Sequence, residues 1–392
     1  MGVIFITSKI SNISTGEDNV NYPLVSVIIV NYNGKMLLKQ CLPSLLQTDY
    51  PSCEIIVVDN SSVDGSTKFV RENFPTVKVV QLNKNYGYTG AVNFGAKYAK
   101  GKLLAILNND ITVERTWLKE LVKVILEKPN AGSAAPKKLL MNHSQILDGA
   151  GGRINILLEG ADRGYLELDR GKYNNIEPIP YPPGAAYLIL REIASKCGYL
   201  LDPDFFMYFD DPEVGARLHL LGYTTYYVPS SVVYHKRGAS GGHLDPKILF
   251  LFRRNQLIYL YKFFGLGVCI KAVSILLMFN AITSFYYAFV NRDGRYISSL
   301  FLPLLQFVAK FRSIESRRKQ LQPLIKCAPQ SYFRKFSGEL LLTIKLNSTT
   351  LNLLTVLIKL VNKYFACVKL DAPPITSIRV VKNPAKIEIY NI

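Results

Sequence analysis

VSVIIVNYNG (25–34) and EIIVVDNSSVDGS (54–66) are the two stretches whose reading decides the fold. Each opens on a run dominated by β-branched residues, the composition of a strand buried on both faces, and each closes on the turn formers Asn, Asp, Gly and Ser. Between them Leu37, Leu38, Leu42, Leu45 and Leu46 fall on one side of a helical period, so the unit reads β-α-β. VKVVQ (77–81), a helix within 88–100 and LLAIL (103–107) repeat the alternation, and ERTWLKELVKVILE (114–127) adds an amphipathic helix. This order predicts an α/β fold with a Rossmann-like, mostly parallel sheet flanked by helices.

Farther along, residues 141–180 are rich in glycine and charge and are expected to form an insertion or hairpin beside the sheet. AAYLIL (185–190), the short helix REIASKCG (191–198), TTYYV (224–228) and SVVYH (231–235) return to the earlier pattern. GASGGH (238–243) marks a break, which divides the chain into a polar tail (1–22), an α/β domain (23–243) and a helical C-terminal region (244–392).

The 392 residues carry a formal charge of +18. Residues 1–243 hold 25 Lys and Arg against 23 Asp and Glu, whereas residues 244–392 hold 22 against 6. The basic third is also apolar, since FFGLGVCIKAVSILLMFNAITSFYYAFV (263–290) has Lys271 as its only charge. Basic and apolar together point to an anionic membrane, and no stacking or groove-reading motif supports nucleic acid as a partner. The run exceeds the roughly 20 residues that span a bilayer. A hairpin entering one leaflet, a single span, helices lying on the surface and a soluble subdomain with a buried core helix all fit it. ELLLTIKLNSTTLNLLTVLIKLVNKYF (339–365) sets Lys345, Lys359 and Lys363 among leucines, as an interfacial helix does. Cys41, Cys53, Cys197, Cys269, Cys327 and Cys367 form no CxxC pattern, which disfavours a disulfide framework or a zinc site and fits a reducing cytosol. The first twenty residues lack the apolar core of a signal peptide.

Ligands of an open parallel sheet collect beyond the carboxyl ends of its strands. NYNG, DNSSVDGS, NKNYGYTGAVNFG and NNDI follow the first four strands, so four polar loops meet at one sheet edge. FFMYFDDPEVGARL (205–218) contributes two adjacent carboxylates, Asp210 and Asp211, ahead of a proline suited to a first helical turn. A helix N-cap explains only one of them.

VSVIIVNYNG, IIVVDNSSVDGS, NYGYTGAVNFGAKYA, LAILNNDITV with Trp117 and Leu118, PGAAYLILREIASKCGYLLDPDFFMYFDDPEVGARLHLLGYTTYYVP and VVYHKRGAS resemble, in order and spacing, the family 2 inverting glycosyltransferases, in particular their rhamnosyltransferase-like branch. The resemblance covers residues 24–240. It implies a GT-A fold, a nucleoside-diphosphate-sugar donor, a divalent metal, Mg²⁺ or Mn²⁺, and transfer with inversion at the anomeric carbon.

Carried over position by position, Asp59 matches the aspartate that bonds the donor's base or ribose, with Asn31 and Asn60 beside it; the plain alternative is an Asx turn with Asn60, Ser61 and Ser62. Asn85, Gly87, Gly90 and Asn93 fall where a helix N-terminus favours a diphosphate, or serve only the turn. Asn108-Asn109-Asp110 matches an Asp-x-Asp-like metal motif in which Asn108 replaces the first acid, so Asp110 carries the metal unless it merely caps a helix. His235 matches a further metal ligand, or is satisfied by a backbone carbonyl. Gly184 and Ala185 match small residues beside the sugar. Asp211 aligns with the catalytic base, Asp210 stands where the pair usually has Glu, and Glu213 matches a third acidic position.

Transfer to a hydroxyl needs a group to take its proton. Two adjacent carboxylates on one turn cannot flank a scissile bond by the roughly 5 Å or more that glycosidases use, which favours transferase over hydrolase. The expected donor is a UDP- or dTDP-sugar, the acceptor a lipid-linked or cell-surface glycan, and the location the cytoplasmic side of a membrane. Two alternatives stand beside it. A nucleotidyltransferase acting on a sugar phosphate needs a triphosphate loop that NYNGK imitates poorly, and a non-catalytic nucleotide-sugar-binding membrane scaffold has no use for Asp211.

Overall fold

The computed structural model describes residues 22–237, 245–342, 348–367, 372–383 and 386–391. The first half follows its hydrophobic periods. β1 (Val25–Asn31), β2 (Cys53–Asp59), β3 (Lys78–Gln81) and β4 (Leu103–Asn108) are joined by α1 (Lys35–Leu46), α2 (Ser66–Asn73) and α3 (Gly87–Tyr98). Alternate strand residues feed two buried layers. Ile28, Ile56, Val58 and Ile106 pack with Ala91 and Val92 of α3, while Val27, Ile29, Val57 and Leu107 pack with Leu38 and Leu42 of α1.

Then come β5 (Ile111–Val113), α4 (Trp117–Glu127), β6 (Ala131–Leu140), β7 (His143–Gly149), β8 (Gly152–Ile154), β9 (Gly160–Asp162), β10 (Glu177–Ile179), β11 (Ala186–Leu190), α5 (Glu192–Cys197), α6 (Asp210–Leu220) and β12 (Thr224–His235). The main sheet has the order β10-β12-β6-β11-β4-β1-β2-β3, with β5 on β12 and β7 on β6. β1 runs parallel to β2 and β4, β2 to β3, and β6 to β12, whereas β11 lies antiparallel between β4 and β6. Register brings the site together: Asn31 pairs with Asp59 and Val30 with Asn108, so three strands end at one edge.

β6, AGSAAPKKLL, carries no β-branched run and went unread as a strand. Pro136 is tolerated because it sits where the β6–β12 ladder shifts register between Val228 and Val232. That shift also makes TTYYV and SVVYH one strand rather than two. Within 141–180 the expected hairpin is β7 folded back on β6, followed by the separate β8–β9 pair.

The C-terminal region comprises α7 (Pro246–Asn291), α8 (Arg295–Ala309), α9 (Phe311–Leu321), β13 (Glu339–Leu342), α10 (Ser348–Cys367), β14 (Ser377–Asn383) and β15 (Lys386–Asn391). It is not purely helical, because β13, β14 and β15 form a small sheet. ELLL, expected to begin a helix, pairs in parallel with β14, a partner that no local leucine pattern can announce. Nor does the core end near residue 243: Ile258, Tyr259 and Phe263 of α7 share a buried cluster with Ile28 and Ile106. The expected tail, apart from Tyr22, the GASGGH break and Lys345 lie outside the described residues.

α7 breaks at Gly265, whose φ of 78° is open to glycine. Residues 246–274 are long and apolar enough to cross a membrane, yet 61% of their most apolar window is buried in the protein. Beyond the break the apolar side turns outward, with Ile282, Phe285 and Phe289 of α7 and Phe301, Leu305 and Val308 of α8 exposed, Phe289 to 86%.

Candidate active site

The end of β1 organises one side of this edge. Asn31 is completely buried; its Nδ2 donates to Asp59 Oδ1 at 3.0 Å and to Ser66 Oγ at 2.9 Å, and its Oδ1 accepts from Asn109 Nδ2 at 2.8 Å. Asp59 Oδ2 accepts from the Ser62 N–H at 3.0 Å, a local bond that reaches three residues on, one farther than an Asx turn. Asn60 Nδ2 donates to Asn85 Oδ1 at 2.9 Å and to the Gly87 carbonyl at 3.1 Å, tying the second loop to the start of α3. Gly87 has a φ of 73°, and a Cβ there would lie 2.4 Å from the Phe206 carbonyl oxygen. A Cβ on Gly90 would instead meet Tyr86 Cβ at 2.7 Å. Asn93 serves another purpose, clamping the backbone: Nδ2 donates to the Leu201 carbonyl at 2.6 Å and Oδ1 accepts from the Leu200 N–H at 2.8 Å.

Asp110 and His235 meet across β5 and β12, which pair so that Ile111 faces His235. Asp110 Oδ1 is buried, accepts no well-aligned hydrogen bond, and lies 3.3 Å from His235 Nε2. His235 Nδ1 lies 2.9 Å from Asp148 Oδ2, a carboxylate with no exposure at all. A ring nitrogen held by a carboxylate, with the other facing an unpartnered carboxylate oxygen, is the donor arrangement of a metal ligand. The residues therefore fit a hard divalent cation. Among the described residues no group of three or more His, Cys, Asp or Glu could hold a metal by itself, so an ion here takes its remaining ligands from elsewhere. Burial opposes a charge on His235, but Asp110 and Asp148 outweigh it and raise its proton affinity.

Two links bring Asp211 to this edge. The Asn108 N–H donates to the Ala185 carbonyl at 3.0 Å, and the adjacent Gly184 N–H donates to Asp211 Oδ2 at 2.8 Å. Tyr88, whose hydroxyl donates to the Gly184 carbonyl at 3.0 Å, lies within the fields of Asp210, Asp211 and Asp110 alike. A Cβ on Gly184 would stand 2.4 Å from Asp211 Oδ1, so it is the Asp211 carboxylate that occupies the space a side chain would need. Burial pushes the Asp211 carboxyl up to about 6, against the opposing pull of the Gly184 N–H and Lys138. Burial, then the neighbouring Asp211, push Asp210 well above the carboxylate range. Both carboxyls thus hold their protons more tightly than free ones, and Asp211, at about 6, is ionised near neutrality.

Glu213 does not join them. It is completely buried, with Oε1 3.0 Å from Arg217 Nε and 2.6 Å from Lys262 Nζ, so its carboxylate is spent on an internal ion-pair network. Sequence reasoning missed Asp148, Tyr88 and Lys138. Lys138 is nearly fully buried on β6 and lies 3.0 Å from Asp162 and 3.6 Å from Asp148. Two adjacent lysines inside an otherwise small and apolar stretch were the available signal.

Residues 26–139 match Glycosyl transferase family 2. Among curated proteins, the chain is 28% identical to the O-antigen biosynthesis protein RfbC of Myxococcus xanthus over 56% of this chain and 18% of that one. It is 28% identical to an uncharacterized protein of Sinorhizobium fredii over 59% of this chain and 26% of that one. It thus spans about a quarter or less of the length of these two relatives. A third relative, the N-acetylglucosaminyl-diphospho-decaprenol L-rhamnosyltransferase of Mycobacterium tuberculosis, is 25% identical over 57% of this chain and 79% of its own. The fold matches the crystal structure of GalNAc-T7 with UDP, GalNAc and Mn2+ at a TM-score of 0.51 and 20% identity, over 62% of this chain and 51% of that one. The α/β sheet is that of the GT-A fold.

Proposed function

Because residues 26–139 match Glycosyl transferase family 2, we propose that the chain transfers a hexosyl or rhamnosyl group from a UDP- or dTDP-sugar to a hydroxyl of a lipid-linked or cell-surface glycan, with inversion. The observation that carries this reading is Asp211, ionised near neutrality and held by the Gly184 N–H at the strand edge that also bears Asp110 and His235. Its carboxylate takes the proton of the acceptor hydroxyl as that oxygen bonds to the anomeric carbon. The bond from that carbon to the diphosphate breaks on the opposite face, and its electron pair leaves with the nucleoside diphosphate. Asp110 and His235 would hold Mg²⁺ or Mn²⁺, which neutralises charge on the diphosphate. Asn31, Asp59, Asn60, Asn85, Gly87 and Gly90 line the donor's nucleoside and diphosphate side, with Asn108, Gly184 and Ala185 between it and the base. The exposed apolar face of α7 and α8, with Lys271 in α7, Arg292 and Lys310 at the C-terminal ends of α7 and α8 and Arg312 in α9, suits an anionic membrane on the cytoplasmic side.

The test is nucleoside diphosphate release by the purified full chain from a panel of nucleoside-diphosphate sugars, with and without a glycolipid extract and with and without a chelator. Expected is release from one donor that requires both extract and divalent metal. In Asp211→Asn it should fall by about a hundredfold or more while nucleoside diphosphate affinity stays within a few-fold. Most of the turnover surviving in that variant would remove Asp211 from the role of base, and activity indifferent to chelation would remove Asp110 and His235 from theirs.

A further inference from the structure

The loop that presents Asp210 and Asp211 is strained and is held from outside itself. Phe206, Tyr208 and Phe209 have φ of 64°, 66° and 63°, a region in which a Cβ crowds the following carbonyl. Three such residues within four do not keep that shape unless the surroundings impose it. The imposing groups come from α7. Asn255, with no exposure, donates from Nδ2 to the carbonyls of Phe205, Met207 and Tyr208 at 3.1, 2.9 and 2.7 Å. Arg254, 4% exposed, donates from Nη2 to the carbonyls of Asp204 and Phe205 at 3.2 and 2.6 Å. Arg254 Nε also donates to Asn255 Oδ1 at 2.9 Å, which fixes the end of the amide that faces the loop.

From the opposite side the Thr89 N–H of α3 donates to the Phe206 carbonyl at 3.1 Å. The loop is therefore gripped between the start of α3 and α7. Neither Arg254 nor Asn255 bonds Asp210 or Asp211, so whatever they do for the carboxylates passes through the backbone of 205–209.

We propose that Asn255 and Arg254 are positioning residues for the transfer reaction, holding the strained 205–209 backbone in the shape that aims Asp211 at the acceptor hydroxyl. This rests on the reading of Asp211 as the base. Adjacent buried polar side chains on a helix are ordinarily there to be satisfied, but here every donor of the Asn255 amide is committed to this one loop.

The test compares the full chain with Asn255→Leu, which keeps the volume and removes the amide, and with Arg254→Gln and Arg254→Lys. Amide hydrogen exchange is followed along the chain, together with kcat and nucleoside diphosphate affinity. In Asn255→Leu the amides of 205–211 should exchange about tenfold faster or more while β1, β2 and β4 keep their protection. Turnover should fall by about thirtyfold with nucleoside diphosphate affinity within about threefold. Arg254→Gln should show the same pattern, and Arg254→Lys should recover part of it. Unchanged protection at 205–211 overturns the proposal, and so does an equal loss of turnover and affinity, the mark of general loosening. If Asn255→Leu does not fold, the Arg254 pair decides on the same criteria. A parent inactive on every donor sinks the transferase reading instead, and hydrogen exchange still decides whether α7 holds the loop.

Discussion

Asp210 and Asp211 are neighbours on one turn, and burial raises the proton affinity of both, with Asp211 adding to the rise at Asp210 and the Gly184 N–H opposing it at Asp211. With Asp211 pushed up to about 6, kcat/KM should climb through that pH on the acid side and level off above it, a profile that initial rates between pH 5 and 8 will display. Asp210 has the opposite consequence, for stability. Its folded proton affinity exceeds the ordinary value of about 3.9, so the folded chain binds its proton more tightly than the unfolded chain does. The stability this supplies is complete below the ordinary value and is lost as pH rises towards the raised one. Asp210→Asn, which mimics the protonated form, should therefore melt a few degrees above the parent at neutral pH, and the two should converge near pH 4. Thermal unfolding across that range checks it; a variant less stable at pH 7 contradicts the assigned protonation. Adjacent acids were legible in the chain. Their division of labour was not, because it depends on burial.

The turn entering β11 and the start of α6 form a contact with a built-in limit. A methyl at Gly184 would sit 2.4 Å from Asp211 Oδ1, and the side of that contact free to move is the end of a carboxylate. Gly184→Ala should thus fold and bind nucleoside diphosphate as the parent does while losing about tenfold or more in kcat; a parallel loss of binding would mean that the glycine serves the donor instead. β1, β2 and β4 were legible because a strand buried on both faces writes itself as a β-branched run. β6 was not. Its Ala, Ser, Pro and Lys are held in the sheet by β11 and β12, and a buried partner can override a weak local preference.

Across the whole molecule α7 links the strained 205–209 loop to the exposed apolar face beyond Gly265. Phe289→Glu combined with Leu305→Glu should abolish most co-sedimentation with anionic vesicles and leave the fold intact, because both side chains are exposed. Parent binding should weaken as salt is raised, since part of it comes from the basic residues of these helices. Parent protein that ignores anionic vesicles would mean that this face covers something other than lipid. The composition break near residue 243 is not a break in the buried core. Composition changes there, but Lys262 of α7 reaches back to Asp202 and Glu213 at 2.7 and 2.6 Å, and the core runs on with it.

Sequence alone determined the β-α-β order, the edge at which the polar loops converge, and which carboxylates and histidine to suspect, since all of these follow from local period and turn chemistry. Tertiary structure decided the rest. It inserted β11 and β6 between β4 and β12, supplied Asp148 behind His235, withdrew Glu213 into an ion-pair network, and set Arg254 and Asn255 against the 205–209 loop. Each of these joins residues distant along the chain, and what selects them is the requirement that buried charge and buried backbone find partners, a condition no stretch of sequence contains by itself.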